Sequence, residues 1–145
     1  IDFGTMNTAD FKELPSSGYH NNLAVISDTA GVWQVKIKVS GALTNVSFPT
    51  ISIPNDNFKW MSTYAGNKNS PYQNLSSGLN HLPANGYVNF SLIDELVYTS
   101  GLVSALNDNN NSPNGTEIQF KYAISMPDNQ TAGTYNTTVV YTVTQ

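Results

Sequence analysis

Few residues of this 145-residue chain have the types and spacing that catalysis or metal binding requires. Its two histidines, His20 and His81, lie far apart, and neither belongs to an HExxH or H-x-H pattern of zinc ligands. The chain has no cysteine, which excludes thiol catalysis and cysteine-ligated metal centres. No serine lies in a GxSxG motif. The sequence therefore predicts a protein that is not an enzyme and that binds no cofactor.

Two groups of residues with side-chain oxygens are weaker candidates for chemistry. Asp94 and Glu95 are adjacent carboxylates, but neighbours on a strand point to opposite faces, whereas glycosidases place two carboxylates across one sugar. Residues 108–112 offer oxygen ligands at alternate positions, as a calcium loop does. In that loop Pro113 replaces the turn glycine and Gln119 replaces the closing glutamate. We expect Asp94 and Glu95 to be solvated and residues 108–112 to form an ordinary turn.

The charge composition favours contacts with protein over contacts with nucleic acid. Charged residues make up 11% of the chain and the net charge is -4, so copies of the chain repel each other weakly. The chain has six lysines and no arginine, whereas nucleic-acid binders use clustered lysine and arginine. We expect no nucleic-acid partner.

The beginning and the hydropathy of the chain predict an exported protein. It starts at Ile1 without a methionine, a basic n-region or an apolar h-region, as a mature form does after signal-peptide removal. No apolar stretch approaches the ~20 residues that span a bilayer, so we expect no transmembrane segment. The expected location is extracellular or at the cell surface.

A period-two alternation of apolar and polar residues predicts β-strands along most of the chain. It is clearest in residues 32–40 and 116–126, where one face of each strand is apolar. Weaker strands are predicted at 1–3, 23–27, 50–53, 58–60, 88–92 and 134–145, and residues 93–106 fit either a helix or a strand and a turn. We expect an all-β fold: one immunoglobulin-like or jelly-roll-like sandwich of mostly antiparallel strands over residues 1–145.

Asparagines and aromatic residues predict two kinds of contact with sugars. Seven N-x-S/T sequons occur, and the best candidates for glycosylation are three in predicted loops, at Asn74, Asn114 and Asn129. Aromatic rings can also form a stacking platform for a bound sugar. The residues suited to this are three aromatics near a loop-rich segment, Trp60, Tyr64 and Tyr72. They support an alternative function as a carbohydrate-binding module or adhesin domain whose partners are surface glycans.

The last part of the chain resembles a known class of proteins. A turn rich in Pro and Gly ends in Ala-Gly-Thr-Tyr at Tyr135, and a strand rich in Thr and Val follows. With the strand at 116–126, this hairpin resembles the C-terminal half of secreted immunoglobulin-like subunits of extracellular filaments. Chaperone–usher pilins, spore-coat-like domains and TasA-type fibre proteins are of this class. The absence of cysteine departs from the disulfide of many chaperone–usher pilins.

The resemblance implies a homopolymer in which one subunit donates a strand to the next. In such polymers main-chain hydrogen bonds pair the strands and alternate apolar side chains fill a groove. The donor is commonly an N-terminal segment, and residues 1–6 supply Ile1, Phe3 and Met6. The other reading is that residues 1–6 form the first strand of their own sandwich.

The C-terminal strand is the predicted acceptor. Natural edge strands are protected by charges or proline, and neither occurs between residues 133 and 145. Either this strand lies inside the sheet or it pairs with another chain, and its candidate edge residues are Val139, Tyr141 and Val143. We therefore expect a structural subunit of an extracellular filament joined by β-strand complementation.

Overall fold

The structure, a computed structural model, describes residues 1–14, 21–25, 32–67, 86–100 and 116–145. These residues form strands and one 3-10 helix, Asn55–Asn57, and contain no α-helix. The strands are β1 Phe11–Leu14, β2 Asn21–Val25, β3 Gln34–Val39, β4 Leu43–Asn45, β5 Ser52–Ile53, β6 Phe58–Asn67, β7 Val88–Asn89, β8 Glu95–Thr99, β9 Thr116–Ser125, β10 Tyr135–Asn136 and β11 Val139–Thr144. The predicted all-β class is confirmed.

Every strand pairing in this structure is antiparallel. Strand β9 lies in the middle of the largest sheet, with β6 along one side and both β1 and β2 along the other. Strand β7 extends this sheet beyond β6, while β11–β3–β8 and β10–β4–β5 form two smaller sheets. The immunoglobulin-like or jelly-roll-like connectivity and the single domain stay predictions.

The core lies between β9 and β3, which face each other with alternate side chains. Their inward residues are all at most 3% exposed: Trp33, Val35, Ile37, Val39, Ile118, Phe120, Tyr122 and Ile124. They belong to one hydrophobic cluster. The apolar inner face predicted for residues 32–40 and 116–126 is thus confirmed, because a period of two places a whole apolar set on one side of a strand. The outer face departs from the prediction at Ala123, which is 0% exposed. Burying each large apolar side chain contributes roughly 1.5–3 kcal/mol.

Residues 1–7 form no strand, so the prediction of a strand beginning at Ile1 was wrong. Gly4 has a φ of +63°, and its N–H donates to the Asp2 carboxylate at 2.7 Å. This local turn bends the chain where a strand would stay extended. The first strand begins instead at Phe11.

The C-terminal run is divided between two sheets. Strand β10 pairs with β4, and β11 pairs with β3. Of the predicted inner face, Tyr135, Val139 and Tyr141 pack against the core. The prediction was wrong for Val143, which is 48% exposed. A repeating pattern does not indicate where along a strand the opposing core stops.

Other predicted strands are shorter or shifted. The run at 88–92 reduces to Val88–Asn89, and Leu92 is 58% exposed. The ambiguous segment at 93–106 contains a strand, Glu95–Thr99, and its residues 101–106 lie outside the described residues.

Candidate functional site: a groove beside an edge strand

Strand β11 lies at the edge of its sheet, and within the described ranges it pairs only with β3. Ser40 N–H donates to the carbonyl of Thr138 at 2.9 Å. The register places these two residues opposite each other, so they form a hydrogen-bonded pair. Such pairs alternate along an antiparallel ladder, so the backbone groups of Val140, Thr142 and Thr144 point towards β3.

The residues that alternate with Val140, Thr142 and Thr144 therefore direct their backbone N–H and C=O groups away from β3. These are Val139, Tyr141 and Val143, the residues that the sequence predicts as the acceptor edge. Three N–H and three C=O groups line this side of β11, and no backbone hydrogen bond within the described part of the chain uses them. The side chains of Val139 and Tyr141 pack on the core. What this edge offers to a partner is therefore mainly its backbone.

A groove of about 1340 Å³ lies beside this edge. Its apolar walls come from more than one sheet, with Leu23 of β2, Phe120 and Ile124 of β9, and Val139 and Tyr141 of β11. Asp2 is the only charged side chain among the described residues that line it. Small-molecule pockets measure about 300–1,000 Å³, so this groove is larger than a drug-sized ligand needs. Free backbone beside an uncharged groove suits an extended peptide.

Residues 1–7, called the strap below, lie along this groove. The Phe3 ring packs edge-on against Phe58, with ring centroids 6.0 Å apart, and Met6 also contacts the core. The Lys12 ammonium donates hydrogen bonds to the carbonyl of Phe3, at 3.1 Å, and to that of Thr5. The predicted donor segment thus packs on its own subunit without pairing as a strand.

Tyr141 connects the edge strand to the opposite sheet. Its hydroxyl is hydrogen-bonded to that of Tyr122, and its ring lies 5.2 Å from that of Phe120. Burial raises the pKa of Tyr141 far above its usual value, and the neighbouring Tyr122 hydroxyl raises it further. The Tyr141 hydroxyl therefore stays protonated at neutral pH, and its hydrogen bond to Tyr122 connects β11 to β9.

The full set of residues that line the groove could not be predicted from the sequence. The alternation in β9 identified Phe120 and Ile124 as buried, and the lack of charge identified the edge of β11. Nothing local indicated that β1 and β2 share one side of β9, which brings Leu23 to the groove. Such pairings join residues far apart in the chain and depend on packing.

Trp60 does not belong to a sugar-binding platform, contrary to the prediction. Trp60 is 0% exposed and packs between Phe90 and Phe120, so its ring has no face for a sugar. The side chain of Tyr64 and the whole of Tyr72 lie outside the described residues.

The other predicted sites are distributed as follows. Asn129 is exposed in a turn, as a glycosylation site requires, whereas Asn74, Asn114, residues 108–112 and both histidines lie outside the described residues. Asp94 pairs with Lys38 at 3.1 Å on the surface.

Within the described ranges no three His, Asp or Glu side chains come together in a way that could hold a metal ion. No helix there has the length and apolar character to cross a membrane.

Comparison of the chain with models of protein families, with curated proteins and with solved structures finds no match. The interpretation of the groove therefore depends on its own geometry and on the residues that line it.

Proposed function

We propose that this protein is a structural subunit of an extracellular filament, assembled by β-strand complementation between copies. The observation that supports this most is the unpaired backbone of Val139, Tyr141 and Val143 on an edge that runs along a large groove with few charges. A strand entering from another copy pairs with these N–H and C=O groups. Its alternate side chains enter the groove between the sheets.

The donor in this proposal is residues 1–6 of a neighbouring copy. Phe3 and Met6 already contact the core of their own subunit along this groove, so their side chains are compatible with its walls. Ile1 is 55% exposed in the single chain, which leaves it available to a partner.

The distribution of charge is consistent with pairing at β11. The edge strand β1 carries Lys12 and Glu13, the kind of charges that discourage further pairing. Strand β11 carries none. With a net charge of -4, copies of the chain also repel each other weakly.

The test is whether the purified protein polymerises and whether β11 is the contact. We expect size-exclusion chromatography and negative-stain microscopy to show high-mass fibres that form with rising concentration. A chain that stays monomeric at high concentration would contradict the proposal.

Val143→Lys places a charge on the edge at an exposed side chain, so it should prevent fibres without unfolding the protein. Thr50→Lys is the matched control, because it adds the same charge at an exposed position outside β11. Equal fibre formation by the two variants would exclude β11 as the acceptor. Deleting residues 1–6 tests the donor in the same assay, and undiminished fibres would exclude it.

A further inference from the structure

We propose that Lys12 is a latch that holds the strap on its own subunit and thereby controls assembly. This inference rests on the proposed function and adds its regulation. A strap held in place cannot be donated to a neighbour. The same strap also lies along the groove that a neighbour's strand must enter.

The latch is a single cation that binds main-chain carbonyls. Lys12 lies on β1, outside the strap, and its ammonium reaches the carbonyls of Phe3 and Thr5. Hydrogen bonds from a charged donor are stronger than those between neutral groups. Because these two carbonyls accept from Lys12, they are not presented for strand pairing. The contact thus favours the bent strap over an extended donor strand.

Apart from Lys12, few contacts hold the strap. No backbone–backbone hydrogen bond joins residues 1–6 to a strand in the described part of the chain. The other contacts of residues 1–6 are the packing of Phe3 and Met6 and a local turn between Asp2 and Gly4, while Asn7, at the end of the strap, is hydrogen-bonded to Asp10. A segment with so few contacts detaches at much lower free energy than a strand of the sheet. Release of the strap therefore leaves the sandwich intact.

The chain behind the strap is anchored and provides a hinge. Asp10 accepts the N–H of Asn7 at 2.7 Å, and Ala9 N–H donates to the carbonyl of Met126 at 3.1 Å. Ala9 has a φ of +63°, so the chain turns sharply at this point before it enters β1. When Lys12 releases its carbonyls, the strap swings about residues 7–9 while β1 stays paired with β9.

The experiment compares the unmodified full chain with Lys12→Met and Lys121→Met. The first variant removes the ammonium and keeps an unbranched side chain. The second makes the same change on β9, at a position between the inward-facing Phe120 and Tyr122, so it points to the outer face. The opening of the strap is measured below the assembly concentration, as the rate at which chymotrypsin cuts after Phe3. Such cleavage follows the population of the opened state.

We expect Lys12→Met to be cut about tenfold faster or more and to form fibres with a correspondingly higher rate, because it loses two charge-assisted hydrogen bonds. Lys121→Met should match the unmodified chain in both assays. Lys12→Arg keeps the cation and should remain closer to the unmodified chain than Lys12→Met does.

Equal cutting of all chains would overturn the latch. Faster cutting of Lys12→Met with unchanged or slower fibre formation would overturn its control of assembly. If no chain forms fibres but Lys12→Met is still cut faster, the proposed function is refuted. The strap then has no role in assembly.

Discussion

At the scale of single residues, Asn45 organises the loop that joins β4 and β5. It is 1% exposed, and its side-chain oxygen accepts the N–H groups of Ser47, at 2.9 Å, and Phe48, at 3.1 Å. Gly133 approaches the Asn45 amide so closely that a Cβ at this position would overlap it. Although Asn45 lies in a sequon, its burial removes it as a glycosylation site.

Gly133→Ala should destabilise the protein by about 1–3 kcal/mol, the usual cost of overpacking, because Asn45 cannot move without losing its two hydrogen bonds. The φ of +155° at Gly133, which side chains rarely adopt, adds to this cost. Gly41→Ala is the matched control, since no atom lies within 4 Å of its added Cβ. We expect this control to stay within about 0.5 kcal/mol of the unmodified chain in urea unfolding. Similar losses for both variants would show that the contact with Asn45 is unimportant.

The raised pKa of Tyr141 predicts how the stability of the protein changes at alkaline pH. Below the usual tyrosine pKa of 10.0 this group is protonated in both the folded and the unfolded chain. Above it, the unfolded chain releases the proton and the folded chain retains it. Stability therefore falls with rising pH, by about 1.4 kcal/mol per pH unit for one proton.

Tyr141→Phe removes this proton, so its stability should fall less steeply above about pH 10 than that of the unmodified chain. At neutral pH the variant should be less stable by about 1 kcal/mol, because it loses the hydrogen bond with Tyr122. Urea unfolding at a series of pH values measures both effects. Identical alkaline slopes would mean that Tyr141 ionises normally in the folded protein.

At the scale of elements, β11 has two different sides. One side is paired with β3 along its whole length, from Val139 to Thr144. The other side has no strand partner in the described part of the chain. Proline substitution distinguishes these two sides, because it removes one N–H at a chosen position.

Val143→Pro should be tolerated in the single chain, because its N–H points away from β3 and its side chain is largely exposed. Thr142→Pro should cost about 1–3 kcal/mol more, because it removes a ladder donor and leaves a carbonyl of β3 unpaired. Thermal or urea unfolding of the two variants measures the difference. The reverse order of stability would show that the assignment of the two sides is wrong.

At the scale of the whole molecule, interactions between charged groups contribute little to stability. Lys38 and Asp94 form the single ion pair among the residues that the structure describes, and it is partly exposed. Exposed pairs contribute about 0–1 kcal/mol. In the proposed filament, association between copies would therefore depend on backbone pairing and apolar burial.

Fibre formation should accordingly respond weakly to sodium chloride. Between about 0.1 M and 1 M salt the Debye length falls from about 10 Å to about 3 Å, which removes most interactions between exposed charges. We expect the concentration at which fibres first form to change by less than about threefold, since the net charge is -4 and the groove is almost uncharged. A change of a hundredfold would indicate that charge pairs join the subunits.

The sequence by itself determined which large apolar side chains are buried in the two strongest strands and which strand lacks protecting charges, but not that this strand lies at an edge. Alternation is a local property of an extended chain, so Val35, Ile37, Phe120 and Tyr122 could be assigned to the core without knowledge of their partners. The absence of charge along β11 is likewise visible in the residues themselves.

Only the tertiary structure decided what surrounds that edge. Residues 1–7 resemble the start of a strand, yet Gly4 and Lys12 hold them bent along the groove. Trp60 resembles a binding residue, yet the rings of Phe90 and Phe120 enclose it. The enclosure of Trp60 and the packing of Phe3 on Phe58 depend on contacts between residues distant in the chain. Such contacts form from the packing of whole sheets, about which a local pattern carries no information.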